Sequence, residues 1–131
     1  MAQKEVEMIL LRQLASYLAT PVFLVDTAGT LVFYNEAAEH LLGTRFEDTG
    51  EMPAAEWGTI FSPTDEQGKP VPAESLPLAI AVRERRGAQR ALRIKGLDGV
   101  PRMIEVTAVP LIGQASRQIG AIAFFQGKDA S

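Results

Sequence analysis

The sequence predicts an α+β fold built on a five-stranded antiparallel sheet. Two observations carry that class. Two apolar runs, Val22–Val25 and Leu31–Tyr34, flank a turn-forming stretch at 26–30. Three further strand-like runs follow Gly87, two of them joined by Asp98-Gly99, a strong two-residue hairpin signal. Strands grouped this way, with helices between the groups, mean α+β and not a wound parallel sheet.

Residues 3–18 are predicted to be helical. Val6, Ile9, Leu10, Leu14, Tyr17 and Leu18 recur at helical spacing. Met8, Leu11 and Ala15 widen that stripe toward a second face. A helix that is apolar on two sides has two surfaces to bury, one against its own domain and the other on a partner. Val6, Ile9, Leu10, Leu14, Tyr17 and Leu18 are therefore the candidate dimer interface. Pro21 ends the helix, because the residue before proline avoids the α region.

The first hairpin follows. Val22-Phe23-Leu24-Val25 is rich in strand formers, and Asp26-Thr27-Ala28-Gly29-Thr30 is turn chemistry. Leu31-Val32-Phe33-Tyr34 returns. Consecutive apolar residues in both strands predict cover on both faces of the sheet. Asn35 is placed to cap a helix over Glu36–Leu42, with Glu36 and Glu39 at its positive end and Gly43 closing it. Residues 44–72 read as irregular, anchored by Trp57, Ile60 and Phe61 on one helical turn, with a tight turn at Thr64–Pro70. Ala73–Arg86 is predicted to be a second long helix, with Pro77 in its first turn and Gly87 as its stop. Gln89–Leu97, Val100–Leu111 and Ile119–Gln126 are the remaining strands, with a loop at 113–117.

The 131 residues fit one domain, and 47% hydrophobic residues suit a globular core. There is no cysteine, which excludes disulfides, thiolate metal sites and a cysteine nucleophile. No apolar run reaches the roughly 18 residues of a membrane span. Lys4, Glu5 and Glu7 interrupt the N-terminal apolar run, so no signal peptide is expected and the cytoplasm is the expected compartment. Charge is uneven: three bases and ten acids give −7 over residues 1–65, and ten bases and six acids give +4 over residues 66–131. Arg83, Arg85, Arg86, Arg90, Arg93, Lys95 and Arg102 carry most of the excess. They form either a solvated surface or a contact for an acidic partner or anion.

The segment from Pro21 to Gly43 (apolar strand, Asp, Gly turn, apolar strand, Asn, small residues, Leu-Leu-Gly) resembles the PAS sensor family. Asp65–Gly68, Glu74–Leu78 and the last strand, Gly120–Phe125, add to the likeness, which covers residues 20–126. The resemblance implies sheet order 2-1-5-4-3, helices on one face enclosing a pocket, and an N-terminal helix that packs across the outer face or onto a second subunit. On that basis residues 1–19 are a flanking dimerisation helix, 20–127 the PAS domain and 128–131 a tail.

The family binds flavin, haem, small acids or lipids, or nothing known. The cysteine that its flavin photochemistry needs is absent. The helix that carries its haem-ligating histidine corresponds here to Ala73–Arg86, which has none. No cofactor is expected. The single histidine, His40, is expected at the negative end of its helix or simply exposed. The candidate pocket residues are Leu31, Phe33, Trp57, Phe61, Ile80, Leu92, Ile94, Val106 and Phe124, with Arg90 as polar handle. Arg90 otherwise sits at the sheet edge, and Trp57 and Phe61 are either core plugs or a wall over a flat ligand. The family's terminal Asp-Ile-Thr is replaced by Gln126-Gly127-Lys128. No output helix is expected in this polypeptide, which either acts alone or was cut from a longer protein.

No Gly-x-Ser-x-Gly elbow, phosphate loop or His-Glu-x-x-His motif is present, and Glu47-Asp48 and Asp65-Glu66 read as solvated pairs. The chain is therefore not expected to be an enzyme. The expected function is a sensory or protein-interaction module of a signalling or transcription-regulating system, homodimeric through its front helix. The alternative is a small-ligand sensor with an apolar pocket. Expected partners are a second copy, a signalling effector and an unidentified small molecule, with neither nucleic acid nor membrane in direct contact.

Overall fold

A computed structural model describes residues 3–127; the predicted tail, 128–131, lies outside them. The elements are α1 (Gln3–Ser16), β1 (Val22–Asp26), β2 (Leu31–Tyr34), α2 (Glu36–Leu42), α3 (Phe46–Thr49), α4 (Ala54–Ile60), α5 (Pro77–Glu84), β3 (Ala88–Lys95), β4 (Pro101–Ile112) and β5 (Gln118–Gly127). Single 3-10 turns lie at Ala73–Ser75 and Gln114–Ser116. All strand pairs are antiparallel, in the expected order β2-β1-β5-β4-β3. Among the described residues no helix is long and apolar enough to cross a membrane.

Local chemistry makes the turns. Asp26 Oδ1 accepts from the amides of Ala28 (2.9 Å) and Thr30 (3.0 Å), and Gly29 supplies φ +84°. Asp65 repeats the device three residues before Gly68, accepting from Gln67 and Lys69 at 2.9 Å each. Those bonds, first that of Lys69, hold the Asp65 carboxyl below its ordinary range. Asp98 closes the β3–β4 hairpin on Val100 N–H (3.0 Å) and pairs with Arg102 (2.9 Å).

Two elements depart from the sequence reading. The long helix over 73–86 is broken: Leu76 is extended (φ −74°, ψ 146°), and α5 starts only at Pro77. Proline excludes the α conformation from the residue before it, so it opens a helix here and does not sit inside one. The helix stops at Arg85, which takes a left-handed conformation (φ 54°, ψ 41°) two residues before Gly87. Residues 44–72 also hold more order than expected, with α3 and the two-turn α4 carrying Trp57.

The sheet buries both faces. Its inner face, under α2 and α5, holds Phe23, Val25, Leu31, Tyr34, Leu92, Ile94, Ile104, Val106 and Phe125. Its outer face holds Val22, Leu24, Val32, Phe33, Ile122 and Phe124 beneath Met8, Leu11 and Ala15 of α1. Each edge strand is closed by a loop. Leu31 and Met52 exchange backbone bonds (2.7 and 3.0 Å) at the β2 edge, and Thr64 and Arg93 do so (2.8 and 2.9 Å) at the β3 edge. Occupied edges offer no template for strand addition there.

Candidate functional site

Two surfaces answer to the expected site residues: the interior between sheet and helices, and the outward face of α1. The interior contains a cavity of about 50 Å³. Its walls are Phe23, Leu42, Trp57, Phe61, Pro63, Leu76, Pro77, Leu78, Leu92, Ile94, Ile104, Val106 and Phe125. Every one is apolar. Trp57, the single wall residue with a side-chain donor, spends it on Gly29 O at 2.8 Å. Such a space lacks the two or more polar partners that a buried water needs. It is also far below the roughly 300–1,000 Å³ of a site for a drug-sized ligand.

Five of the ten expected pocket residues line this cavity: Trp57, Phe61, Leu92, Ile94 and Val106. The other five do not, each for a physical reason. Leu31 is fully buried in the same core but behind the wall. Phe33 faces the outer side, because a bulge in β1–β2 shifts the register between Leu24 and Val25. The extra residue puts Leu31 and Tyr34 on the inner face, three positions apart. Phe33 instead packs 5.5 Å from Phe46, with the Arg12 guanidinium 5.3 Å from its ring centre.

Phe124 also faces outward, and Phe125 takes the inner position. Pairing fixes this parity: Val22 and Leu24 stand beside Phe124 and Ile122 on the outer face, Phe23 beside Ala123 on the inner. Ile80 is half-buried, because the stripe Leu78, Ala81 and Val82 faces the core and Ile80 points away from it. Arg90 shares the parity of Leu92 and Ile94 but lies beyond the wall, half-buried, as one of the charges acting on Asp65. The other wall residues, Phe23, Leu42, Pro63, Leu76, Pro77, Leu78, Ile104 and Phe125, were not among the expected pocket residues. Phe23 and Phe125 meet edge-on in the cavity wall, with ring centroids 4.8 Å apart.

Tyr34 packs against Phe23 (5.3 Å) and Phe46 (5.2 Å), with its hydroxyl bonded to Thr44 O and Thr49 Oγ1 at 3.2 Å each. Burial raises its phenol above the ordinary 10.0, against the lowering pull of Thr49. A raised folded value means that the neutral phenol supports the fold below pH 10.0 and that this support fades as pH climbs through the folded value. Tyr34→Phe should accordingly remove the late phase of tyrosine ionisation followed by ultraviolet absorbance; an unchanged titration would contradict this.

His40 is exposed, 3.7 Å from Glu36. Among the described residues no group of three or more His, Asp or Glu side chains is placed to hold a metal ion.

The outward face of α1 is the second surface. Val6, Ile9, Leu10, Leu14, Tyr17 and Leu18 are all exposed, Leu10 and Leu14 at 59% and Tyr17 at 79%. The two apolar faces read from the sequence are thus divided as expected: Met8, Leu11 and Ala15 lie on the sheet, the other six on the surface. Glu7 ties the helix to the β4–β5 loop through Arg117 at 2.8 Å.

The family model for the PAS fold matches residues 10–127. The PAS domain of nitrogen regulation protein NR(II) from Vibrio parahaemolyticus superposes with TM-score 0.62 at 18% identity, covering 91% of this chain and 98% of that one. A PAS domain from a two-component sensor histidine kinase gives 0.58 at 15% identity, covering 96% and 100%. The Rhodobacter sphaeroides LOV protein gives 0.71 at 18% identity, covering 98% of this chain and 70% of that one. At these identities the structural likeness carries the fold. A search of curated proteins found no match.

Proposed function

Because the chain belongs to the PAS family, we propose that it is a non-catalytic signalling module of the cytoplasm that works by assembly, pairing with a second copy of itself through the outward face of α1. The observation that carries this reading is that face. Six large apolar side chains stand together in water, while the same helix already buries its other side. A patch of this kind on a folded domain marks an interaction surface. Two copies suit it because positions 6, 9, 10, 13, 14 and 17 are all uncharged. A symmetric interface sets like residues near one another, and this one would bury no like charges.

The interior supports assembly over occupancy as the signal. A dry cavity of about 50 Å³ leaves no room for a flavin, a haem or a polar metabolite without rebuilding the wall. The module is therefore read as having no resident cofactor.

Light scattering across a concentration series tests the pairing. Leu10→Glu and Leu14→Glu should each raise the dimer dissociation constant by roughly 100-fold or more, since each buries an unpaired charge at the interface. Both positions are exposed in the single chain, so the thermal midpoint of the monomer should hold. A wild-type monomer at every concentration would sink the proposal. Native mass spectrometry of freshly purified protein tests the second half, where a retained small molecule would overturn it.

A further inference from the structure

Asn35 is the one buried polar or charged residue among the described residues, 1% exposed. Its side chain does two separable things. The oxygen accepts from Ala38 N–H (3.0 Å) and from Val22 N–H (3.1 Å). That half caps α2 and meets the start of β1. The amide nitrogen donates to three carbonyls: Ala15 (3.0 Å), Leu18 (3.3 Å) and Thr20 (2.9 Å). That half closes the C-terminal end of α1 and the link that follows it.

One neutral amide therefore serves opposite poles of two helices. The acceptor sits at the positive end of α2 and the donors at the negative end of α1. Ala15 lies in the last turn of α1, whose final carbonyls have no partner within the helix. Besides these bonds, α1 is held by three apolar residues on the outer sheet, by the Arg12 guanidinium over the Phe33 ring (5.3 Å) and by a partly exposed ion pair, Glu7–Arg117.

We propose that Asn35 is the positioning residue of the α1 surface: its donor half seats the helix on the domain, and its acceptor half serves the core alone. The use of α1 as a contact for a second copy rests on the function proposed above; the seating does not. The acceptor half is the cap expected from the sequence. The donor half, and its separability from the cap, is what the structure adds. A change that keeps the oxygen and removes the donors should release α1 and leave the sheet intact. A helix of 14 residues is marginal once detached, so release exposes its amides to solvent.

Two variants keep the cap and lose the amide N–H donors. Asn35→Ser keeps a capping oxygen on a side chain too short for the three carbonyls. Asn35→Asp keeps the shape but turns an anion on the end of α1. Hydrogen exchange of the whole chain, read by residue, is the measurement. In Asn35→Ser the amides of residues 9–16 should exchange faster than wild type by roughly tenfold or more, with the β5 amides of residues 121–125 unchanged. Asn35→Asp should show the same split, more strongly. Should Asn35→Asp fail to fold, Asn35→Ser decides alone. Equal acceleration in α1 and β5 would make Asn35 an ordinary core stabiliser and overturn the proposal, as would α1 exchange at the wild-type rate. Light scattering on the same samples separates the two readings: a wild-type chain that is monomeric, with the exchange split intact, removes the dimer and leaves the positioning role standing.

Discussion

Phe125→Ala should cost about 3–5 kcal/mol of folding stability, and Phe124→Ala less than about half of that. The two residues are neighbours of one type on one strand, so composition and strand propensity cancel between them. What differs is the face. Phe125 stands 6% exposed in the cavity wall, edge-on to Phe23. Its removal would enlarge a void that already exists, in a place where the surrounding rings are held by the sheet. Phe124 is half-buried on the outer face, where the neighbouring side of α1 and solvent can adjust to a smaller residue. Urea denaturation of both variants measures the difference. Equal losses, or a larger loss for Phe124, would contradict the assigned strand parity.

Gly120→Ala should be comparably severe, about 3 kcal/mol or more, although it adds a single methyl group. Gly120 pairs with Asp26 on one side and Leu111 on the other. A Cβ there would overlap the Val25 carbonyl oxygen and come within 3.1 Å of the Asp26 Cα. Backbone atoms of a paired strand cannot move aside as a side-chain tip can, so β1 and β5 would have to part. Gly127→Ala is the matched control on the same strand, with open space around the added methyl. Its folding stability should stay within about 0.5 kcal/mol of wild type. A Gly120→Ala variant as stable as this control would show that the β1–β5 contact is looser than described.

Much of the molecule was legible because its signals are local. Asp26 and Gly29 specify their turn through bonds to residues two and four positions on. Asn35 and Gly43 mark the ends of α2 by cap chemistry that spans a single turn. The double apolar stripe of residues 6–18 announced a helix with two apolar sides, and the structure lays Met8, Leu11 and Ala15 on the sheet and leaves the other six exposed. Strand order came from resemblance, since no local feature tells β1 that its neighbours are β2 and β5.

The interior was half legible, and the misses share a cause. Alternation reports a strand's inward face only when the other face is polar. β1 and β5 lie between α1 on one side and the inner helices on the other, so Ile122-Ala123-Phe124-Phe125 carries no phase of its own. Pairing with Val22–Val25 supplies it. In β2 the bulge reverses the phase within four residues. The broken helix at Leu76 was readable from Pro77 in principle, by weighing the residue before proline above the apolar periodicity around it.

By itself, then, the sequence determined an α+β domain with a capped helix after a first hairpin, no cysteine chemistry and a front helix with a face to spare. Periodicity, caps and composition are properties of neighbours along the chain. The tertiary structure alone decided which aromatic rings meet inside, how little space they leave, and that the amide of Asn35 reaches back to Ala15, Leu18 and Thr20. Those depend on strand register and on contacts between residues far apart in sequence, which no window along the chain contains.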